Sequence, residues 1–516
     1  MALGSKSVSF FLGLALLALA CARSGESPGE VRLVPPWVGA AAPLVSTVEA
    51  KTGEPSPPDF VSSPTISVFL PVTPTPDPIR PTPELRTEAV THVVRSGDTL
   101  NKIAARYGVA AWQILEENYL PNPNILTIGL VLTIPAQGSL PAGPDSKILP
   151  DSELVFGPSS VDLDIAAALQ PWQGAVLAYT EEVEDSLLTG PEIIQLVSRR
   201  YSVSPRLLAA LLEHQSGWLT NGDLSLLAQA YPLGHVEEGW EGLHSQLAWA
   251  ADQLNAGYYS WKVGWGGPFI LADGSHIVPG PGINAGTAGV EAFFAQVAGE
   301  ADWRAHVSAS GFQSTYQRLF GNPYEKSVEP LVPPDLTQPS LQLPVDTGTV
   351  WSFTGGPHSA WGSGGAWSAL DFAPPGDALG CVQSGEWVVS MADGTILRAA
   401  EGEVIQDLDG DGKEQTGWVL FYMHVAEWQR VQPGTRVRAG DRIGHPSCEG
   451  GISNGTHVHV ARKYNGEWIS ADGSMPFVLD RWLTVGMGIE YDGLMTRDGV
   501  TLEACSCRND NNQISR

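Results

Sequence analysis

Three residues in the last third of the chain have side chains that can bind a metal ion: His358, Asp371 and His459. Two imidazoles and one carboxylate suit Zn²⁺, and three protein ligands leave a fourth position for water, as in catalytic rather than structural zinc sites. Zinc lowers the pKa of water that it binds to about 7, which suits hydrolysis at neutral pH. The sequence therefore predicts an open zinc site.

Two further histidines are candidates for proton transfer beside that site. His457 precedes His459 by two residues, and residues two apart on a strand face the same side, so both imidazoles would point into one cleft. His424 follows an apolar segment that reads as a strand. His424 and His457 are suited to exchanging protons with water and with the leaving group, and the sequence leaves open which of them is the general base.

The region 346–485 must position these residues, and its pattern is that of short strands. Apolar and β-branched runs alternate with polar turns at residues 387–389, 395–397, 404–405, 419–422 and 442–443. Ala392-Asp393-Gly394 is typical of the tight turns that join antiparallel strands. A mostly antiparallel β domain is therefore predicted.

Four segments of this region resemble the lysostaphin-type (LytM-like) zinc endopeptidases. They are Gly356-Pro357-His358, Leu370-Asp371-Phe372, Tyr422-Met423-His424 and Gly455-Thr456-His457-Val458-His459. The long insert between His358 and Asp371 resembles the staphylolytic and β-lytic branch. The resemblance implies that His358, Asp371 and His459 bind zinc, and that His424 and His457 are the catalytic pair that does not bind it.

Residues 150–325 show apolar spacing typical of helices, and Ser204-Pro205 is a helix start. The segment 204–217 resembles the active-site helix of lysozyme-like lytic transglycosylases, but Gln215 stands where that family carries its catalytic glutamate. An amide cannot protonate a glycosidic oxygen, so this domain is predicted to be inactive and at most to bind glycan. Its tryptophans either stack on sugars or fill the core: Trp218, Trp240, Trp249, Trp261 and Trp265.

Residues 91–136 read as strand, helix, helix and strand, and the segment 93–100 resembles the start of a LysM domain. That resemblance implies binding of glycans that contain N-acetylglucosamine; a small packing module that binds no sugar is the alternative. The groove would be formed by Gly97, Asp98, Thr99, Leu100 and the segment after Asn118.

The N-terminal 20 residues are predicted to be a signal peptide, because Lys6 precedes an apolar stretch too short to span a bilayer. The segment 17–21 resembles a bacterial lipoprotein box, which implies lipidation of Cys21; ordinary secretion is the alternative. The proline-rich composition of residues 21–90 favours an extended spacer.

Charge and cysteine content limit the remaining possibilities. A formal net charge of −27 argues against nucleic acid as a partner. An oxidising exterior permits disulfides, and Cys381 with Cys448 is the preferred pair because both flank segments of the β domain; free buried thiols are the alternative. Residues 407–412 are either the start of a calcium loop or an acidic turn.

The sequence thus predicts a multidomain α+β protein: a small βααβ LysM domain, a helical lysozyme-like middle domain, a linker at 326–345, a mostly antiparallel β catalytic domain and a C-terminal tail at 486–516. The predicted function is zinc-dependent hydrolysis of amide bonds in peptidoglycan at the bacterial cell envelope, with membrane contact only through the lipid anchor. Three alternatives remain: proteolysis of free proteins, a non-catalytic wall-binding scaffold or hydrolase activator, and a glycan-cleaving enzyme that uses the middle domain.

Overall fold

The computed structural model describes residues 86–516 except 96–97, 99, 108, 110, 119, 121–125, 137–140, 265–266 and 377–378. The predicted signal peptide, Cys21, the proline-rich spacer up to residue 85, Gly97, Thr99 and Trp265 lie outside the described residues. Among the helices that are described, none combines the length and the apolar character needed to cross a bilayer.

The first folded region has the predicted βααβ order. Its elements are β1 (Val90–Val93), α1 (Leu100–Tyr107), α2 (Ala111–Asn118) and β2 (Val131–Ile134). The two strands pair in antiparallel register, with Val90 opposite Ile134. Buried side chains from both helices and from β2 form a small core between them, including Ile103, Ile114 and Leu132.

The second region, called here the helical domain (residues 148–326), is built from helices with two short hairpins. Its helices are α3 (Asp151–Leu154), α4 (Ile165–Leu169), α5 (Ala175–Ala178), α6 (Gly190–Tyr201), α7 (Pro205–Ser216), α8 (Leu226–Ala230), α9 (Leu243–Lys262), α10 (Ala285–Val297), α11 (Glu300–His306) and α12 (Phe312–Phe320), with 3-10 turns at Pro158–Ser160, Gln170–Trp172 and Pro323–Lys326. The hairpins are β3 (Thr180–Val183) with β4 (Ser186–Thr189), and β5 (Phe269–Ile270) with β6 (His276–Ile277).

Two of these helices, α6 and α9, are fixed by a cap and by a close packing contact. A capping box between Thr189 and Glu192 begins α6. The long helix α9 lies against α10 at Gly257, where an added Cβ would be 2.5 Å from the Cβ of Ala292. Trp218, Trp249 and Trp261 are buried in the core of this domain, whereas Trp240 is 37% exposed.

The third region, called here the β domain (residues 341–516), is antiparallel throughout its described strand pairs. Its strands are β7 (Trp351–His358), β8 (Ala369–Ala373), β9 (Val388–Val389), β10 (Gly394–Ala400), β11 (Glu403–Asp407), β12 (Trp418–Met423), β13 (Arg436–Val437), β14 (Arg442–Gly444), β15 (Val458–Tyr464), β16 (Glu467–Trp468), β17 (Val478–Leu479), β18 (Trp482–Gly486), β19 (Gly493–Arg497), β20 (Val500–Glu503) and β21 (Gln513–Ile514). The main sheet has the order β13-β10-β11-β12-β15-β8-β7-β21, with β16 paired to β15. β14 pairs with β9, and β17 to β20 form a separate four-stranded sheet. The α+β fold class predicted from the sequence is confirmed.

The two faces of the main sheet pack against different partners. Leu420, Tyr422, Val458 and Val460 alternate along β12 and β15 and face the core of the β domain. Their neighbours on the opposite face, including Phe421, Met423 and Ala461, belong to one apolar cluster with the helical domain. Since His459 lies between Val458 and Val460, it belongs to the face that the helical domain adjoins.

Two stretches that the sequence left without structure have a defined place in the fold. Residues 326–345, predicted as a linker, bury Leu341 and Leu343, and Val345 forms a bridge with Val388. Residues 486–516, predicted as a tail, contain β19, β20 and β21, and β21 extends the main sheet by pairing with β7. The strands β19 to β21 are short and little apolar, so the period-two pattern that reveals longer strands is weak in them.

Candidate metal centre and active site

Three neighbouring strands bring the predicted ligands together. β7 ends at His358, β8 contains Asp371 at its centre, and β15 contains His459. Asp371 is directly opposite His459 in the antiparallel register of β8 and β15. Because the flanking residues Val458 and Val460 are held in the core, the side chain of His459 must leave the opposite face of the sheet, beside that of Asp371.

The three donor atoms form a nearly equilateral triangle. His358 Nε2 lies 3.0 Å from His459 Nδ1, which lies 3.1 Å from Asp371 Oδ1, and the third side, from His358 Nε2 to Asp371 Oδ1, is 3.3 Å. Four-coordinate zinc with bonds of about 2.0–2.1 Å separates its ligand atoms by about 3.3 Å. The donor set and its spacing therefore fit a small tetrahedral cation such as zinc.

Backbone carbonyls fix the orientation of both imidazoles. His358 Nδ1 lies 2.8 Å from the carbonyl oxygen of Gly356, and His459 Nε2 lies 3.1 Å from that of Ala360. A carbonyl can only accept, so these two nitrogens carry the hydrogens, and the lone pairs of His358 Nε2 and His459 Nδ1 are directed at the shared position. Outer contacts of this kind set the tautomer of a ligating histidine.

Burial and charge act in opposite directions on this group. Burial alone would raise the pKa of Asp371, but His358 and His457 outweigh it and hold that pKa well below its usual range. Burial likewise disfavours the charged form of His358, yet the attraction of Asp371 prevails and the pKa of His358 is raised. Asp371 is thus held in its ionised form at the centre of this group, as a cation site requires.

His424 and His457 lie side by side next to the ligand set. Their ring centroids are 4.4 Å apart, and His457 Nε2 is 3.6 Å from Asp371 Oδ1. His424 has a φ of +62°, a conformation uncommon outside glycine, and it directs the ring into the site immediately after β12 ends. Its Nδ1 donates to the carbonyl oxygen of Glu449 at 3.0 Å, and burial lowers the pKa of His424 to about 3, with His457 and His459 adding to the effect.

A disulfide braces the loops around this pair. Cys381 and Cys448 are bonded, with their Cα atoms 5.7 Å apart, and Cys448 directly precedes Glu449. On the other side, the N–H of Thr456 donates to the carbonyl of Gly380 at 3.1 Å, one residue from His457. The disulfide therefore joins the segment behind His424 to the segment that borders His457. A second disulfide joins Cys505 and Cys507.

Other residues singled out by the sequence have their side chains occupied within the fold. His445, a further histidine of the β domain, stacks on Trp428 outside the metal centre. Its Nδ1 donates to the backbone carbonyl of Glu386 at 2.7 Å, and its Nε2 lies 3.0 Å from Oε1 of Gln429. In the first region, Asp98 contacts His92 and the Arg95 N–H, Leu100 is buried, and Asn118 bonds to Ile114 and Thr133.

The side chains at the two remaining candidate positions also form bonds within the fold. In the helical domain, Gln215 donates to the carbonyl of Leu233 at 3.3 Å, and the carboxylate of Glu213 accepts from Thr220 and Arg318. The carboxylates of Asp407, Asp409 and Asp411 lie within 4.8 Å of one another, and the Asp407 oxygens accept hydrogen bonds from N–H groups of their own turn.

Two residues at the site were missed by sequence reasoning. The ring of Tyr491 stacks on His358, with centroids 4.1 Å apart and planes 20° apart, and its backbone exchanges hydrogen bonds with Gly356 and Pro357. Glu490 accepts from the N–H of Ser359 at 3.2 Å. Neither residue belongs to a motif, and no local spacing connects them with His358.

Three regions of the chain match described families. Residues 92–135 match the LysM domain, residues 147–334 match the N-terminal domain of LasA, and residues 379–471 match peptidase family M23. The M23 match contains His424, His457 and His459, whereas His358 and Asp371 precede it, so their place in the site depends on the geometry above. The lysozyme-like interpretation of the helical domain stays a prediction.

The chain is also similar to curated and solved proteins. Protease LasA of Pseudomonas aeruginosa is 28% identical over 305 residues, which span 55% of this chain and 68% of LasA. The β-lytic metalloendopeptidase of Achromobacter lyticus is 29% identical over 171 residues, 31% of this chain and 42% of that protein. Among solved structures, the M23 metalloprotease pseudoalterin is 26% identical, covers 33% of this chain and 96% of its own, and has a TM-score of 0.27. The catalytic domain of lysostaphin from Staphylococcus simulans is 23% identical, covering 23% and 87%, with a TM-score of 0.18.

The family matches and the curated relatives show what kind of protein this is. The chain contains a LysM domain, a LasA N-terminal domain and an M23 metallopeptidase domain. It is a metalloendopeptidase, as the sequence predicted.

Proposed function

We propose that this protein is a zinc-dependent endopeptidase that hydrolyses amide bonds in the stem or cross-bridge peptides of peptidoglycan. The observation that carries the proposal is the triangle of His358, Asp371 and His459 donors with His424 and His457 beside it. A ligand set with an open side and two further imidazoles is the arrangement that a metallohydrolase needs, because metal and proton transfer must act on the same water.

His358, Asp371 and His459 would hold the zinc ion. When bound, zinc supplies a Lewis acid that polarises the scissile carbonyl and makes water more acidic. His424 Nδ1 donates to the Glu449 carbonyl, which leaves Nε2 as the atom that can take up a proton. His457 Nδ1 lies 2.7 Å from the carbonyl of Gly455, which leaves its Nε2 for the same purpose.

Proton transfer therefore falls to the two Nε2 atoms. One of them takes up the proton released from the attacking water, and this proton is then passed on to the departing amine, so both imidazoles are neutral again after turnover. Burial lowers the pKa of His424, which favours the neutral imidazole with a lone pair on Nε2.

An amide rather than a glycosidic substrate is supported by the helical domain. General acid catalysis on a glycoside requires a carboxylic acid free to donate. Gln215 has none, and the carboxylate of Glu213 is held by Arg318, Thr220 and the Leu219 N–H. The LysM domain supports peptidoglycan as the substrate, because it implies a glycan-binding module on the same chain as the peptidase.

The proposed location is the outside of the bacterial cell membrane. The disulfide between Cys381 and Cys448 suits an oxidising compartment. Lipidation at Cys21 would anchor the chain, with the proline-rich segment as a spacer and no other membrane contact; secretion without an anchor is the alternative.

The test compares the products that wild type and variants release from purified peptidoglycan. Wild type is expected to generate new amino termini, and His424→Ala and His457→Ala are expected to retain zinc while losing release by about 100-fold or more, since general acid–base catalysis contributes about 10²–10⁴. His276→Ala, which changes a histidine of the helical domain, is the matched control and should act like wild type. Release of reducing sugars instead of amines would contradict the proposal, and binding without any cleavage would favour the scaffold alternative.

A further inference from the structure

A glycine-rich segment between His358 and Asp371 touches the metal centre from one side. This strap, defined as residues 359–366, contains Ala360, whose carbonyl accepts the Nε2 hydrogen of His459 at 3.1 Å. The strap therefore supplies the contact that sets the tautomer and ring orientation of one metal ligand. Its conformation must be fixed if the donor nitrogen of His459 is to stay in place.

The strap has little means of fixing itself. Gly362, Gly364 and Gly365 make up three of its eight residues, and glycine loses more conformational freedom on ordering than any other residue. No described residue of the strap belongs to a helix or strand. One hydrogen bond closes it internally, from the Gly365 N–H to the Ser359 hydroxyl at 3.2 Å.

Helix α9 of the helical domain provides the missing support. The carboxylate of Asp252 accepts hydrogen bonds from the N–H groups of Ser363 and Gly364, at 2.9 and 3.2 Å. The backbones are in direct contact: a Cβ added to Gly364 would lie 2.1 Å from the carbonyl oxygen of Asp252. A Cβ added to Gly362 would lie 2.2 Å from the Asp252 carboxylate. Only glycine allows the strap to lie this close to the helix.

Helix α6 holds the same strap at its other end. The guanidinium of Arg200 lies over the ring of Trp361, 4.7 Å from its centroid, and Tyr201 meets that ring edge-on at 6.4 Å. Trp361 in turn contacts Phe421 at 6.3 Å, and Phe421 is 6.0 Å from His459. The strap is thus held between the helical domain and the sheet face that carries the metal ligands.

We propose that Asp252 is a positioning residue of the metal centre: the helical domain orders the strap, and the strap orients His459 for zinc. This inference rests on the zinc-dependent function proposed above. It gives the helical domain a role in the peptidase site itself, through a carboxylate that contacts neither substrate nor metal.

The experiment measures zinc affinity of the full chain by competition with a chromophoric chelator. Asp252→Ala removes the acceptor on helix α9. Gly364→Ala changes the strap instead, by adding a Cβ that pushes the strap away from that helix. Both are expected to weaken zinc binding about three- to tenfold, less than the 10–100-fold typical when a direct partner of a ligating histidine is removed. Asp252→Asn keeps an acceptor oxygen, so the zinc affinity of this variant should be within about twofold of wild type. This recovery would not occur if the lost charge, or a general loss of stability, caused the weaker binding of Asp252→Ala.

Matched control variants distinguish a loss of ligand positioning from unfolding, and a failure of this inference from a failure of the proposed function. Asp223→Ala removes an exposed carboxylate of the helical domain, and Gly385→Ala adds a Cβ with no atom within 4 Å; both should leave zinc affinity unchanged. Unchanged affinity in Asp252→Ala and Gly364→Ala, with thermal unfolding like that of wild type, would overturn the inference. So would higher peptidase activity in these two variants, since the contact would then restrain the site. Failure of wild type to bind zinc at all would instead refute the proposed function.

Discussion

Replacing both Cys381 and Cys448 by serine should lower the stability of the β domain and impair catalysis. The two cysteines are 67 residues apart in sequence, so their disulfide closes a long loop of the unfolded chain. The loop contains β9 to β14 and His424, and hence much of the main sheet. Its removal would give the unfolded state the freedom that the cross-link denies it.

The chain-entropy relation turns that separation into a free energy. A closed loop of this length corresponds to a loss of about 4 kcal/mol in the free energy of unfolding. In a domain of this size each kcal/mol of lost stability lowers the midpoint of thermal unfolding by about 2–4 °C, so the double serine variant should melt about 8–16 °C below wild type. Peptidase activity should also fall, because Cys448 precedes the Glu449 carbonyl that orients His424.

The assay is thermal unfolding of the oxidised wild type, the reduced wild type and the double serine variant. The second disulfide offers the control. Cys505 and Cys507 are two residues apart, so their disulfide constrains the unfolded chain far less than the first one does. Replacing both of these cysteines should therefore shift the midpoint of thermal unfolding only slightly. If the Cys381→Ser, Cys448→Ser variant melts within about 2 °C of wild type, the reasoning from loop closure is refuted.

Three further outcomes are expected. Burial lowers the pKa of His214 from 6.5 to about 4. The stability that the neutral His214 contributes is therefore complete above about pH 6.5 and is lost as the pH falls towards 4. In pH-resolved unfolding curves, His214→Gln should remove up to about 3 kcal/mol of this loss of stability. Removal of zinc by a chelator should lower the melting temperature of wild type in calorimetry, because zinc at 1,000 times its dissociation constant adds about 4 kcal/mol to the free energy of unfolding. The melting temperature of His459→Ala should not change on chelation. Asn118→Ala removes the bonds that join α2 to Thr133 of β2, so amide exchange at Thr133 should accelerate about thirtyfold, as about 2 kcal/mol implies.

The sequence predicted those features that depend on local spacing. The alternation of His457, Val458 and His459 requires that both imidazoles share a face, and the register of β15 with β8 places Asp371 opposite His459 on that face. The βααβ order of the first region and the antiparallel sheet followed in the same way from period and turn chemistry.

Contacts between distant segments could not be read from such patterns. Tyr491 stacks on His358 from a segment that carries no motif, and Asp252 supports the strap from the middle of a helix where an acidic residue is ordinary. The tryptophans show the same limit: Trp218 is buried and Trp240 is partly exposed, although composition alone gave both the same alternatives. Tertiary packing decides such cases, and a single sequence records it only indirectly.

The most direct test of the central claim is zinc content and amide cleavage measured together in wild type and His459→Ala. Wild type is expected to bind one zinc ion per chain and to release new amino termini from purified peptidoglycan. His459→Ala removes one of three donors and should lose both the metal and the cleavage while LysM-dependent binding to the wall persists. Equal amine release by the two proteins, or full activity of wild type after its zinc has been removed, would contradict the account.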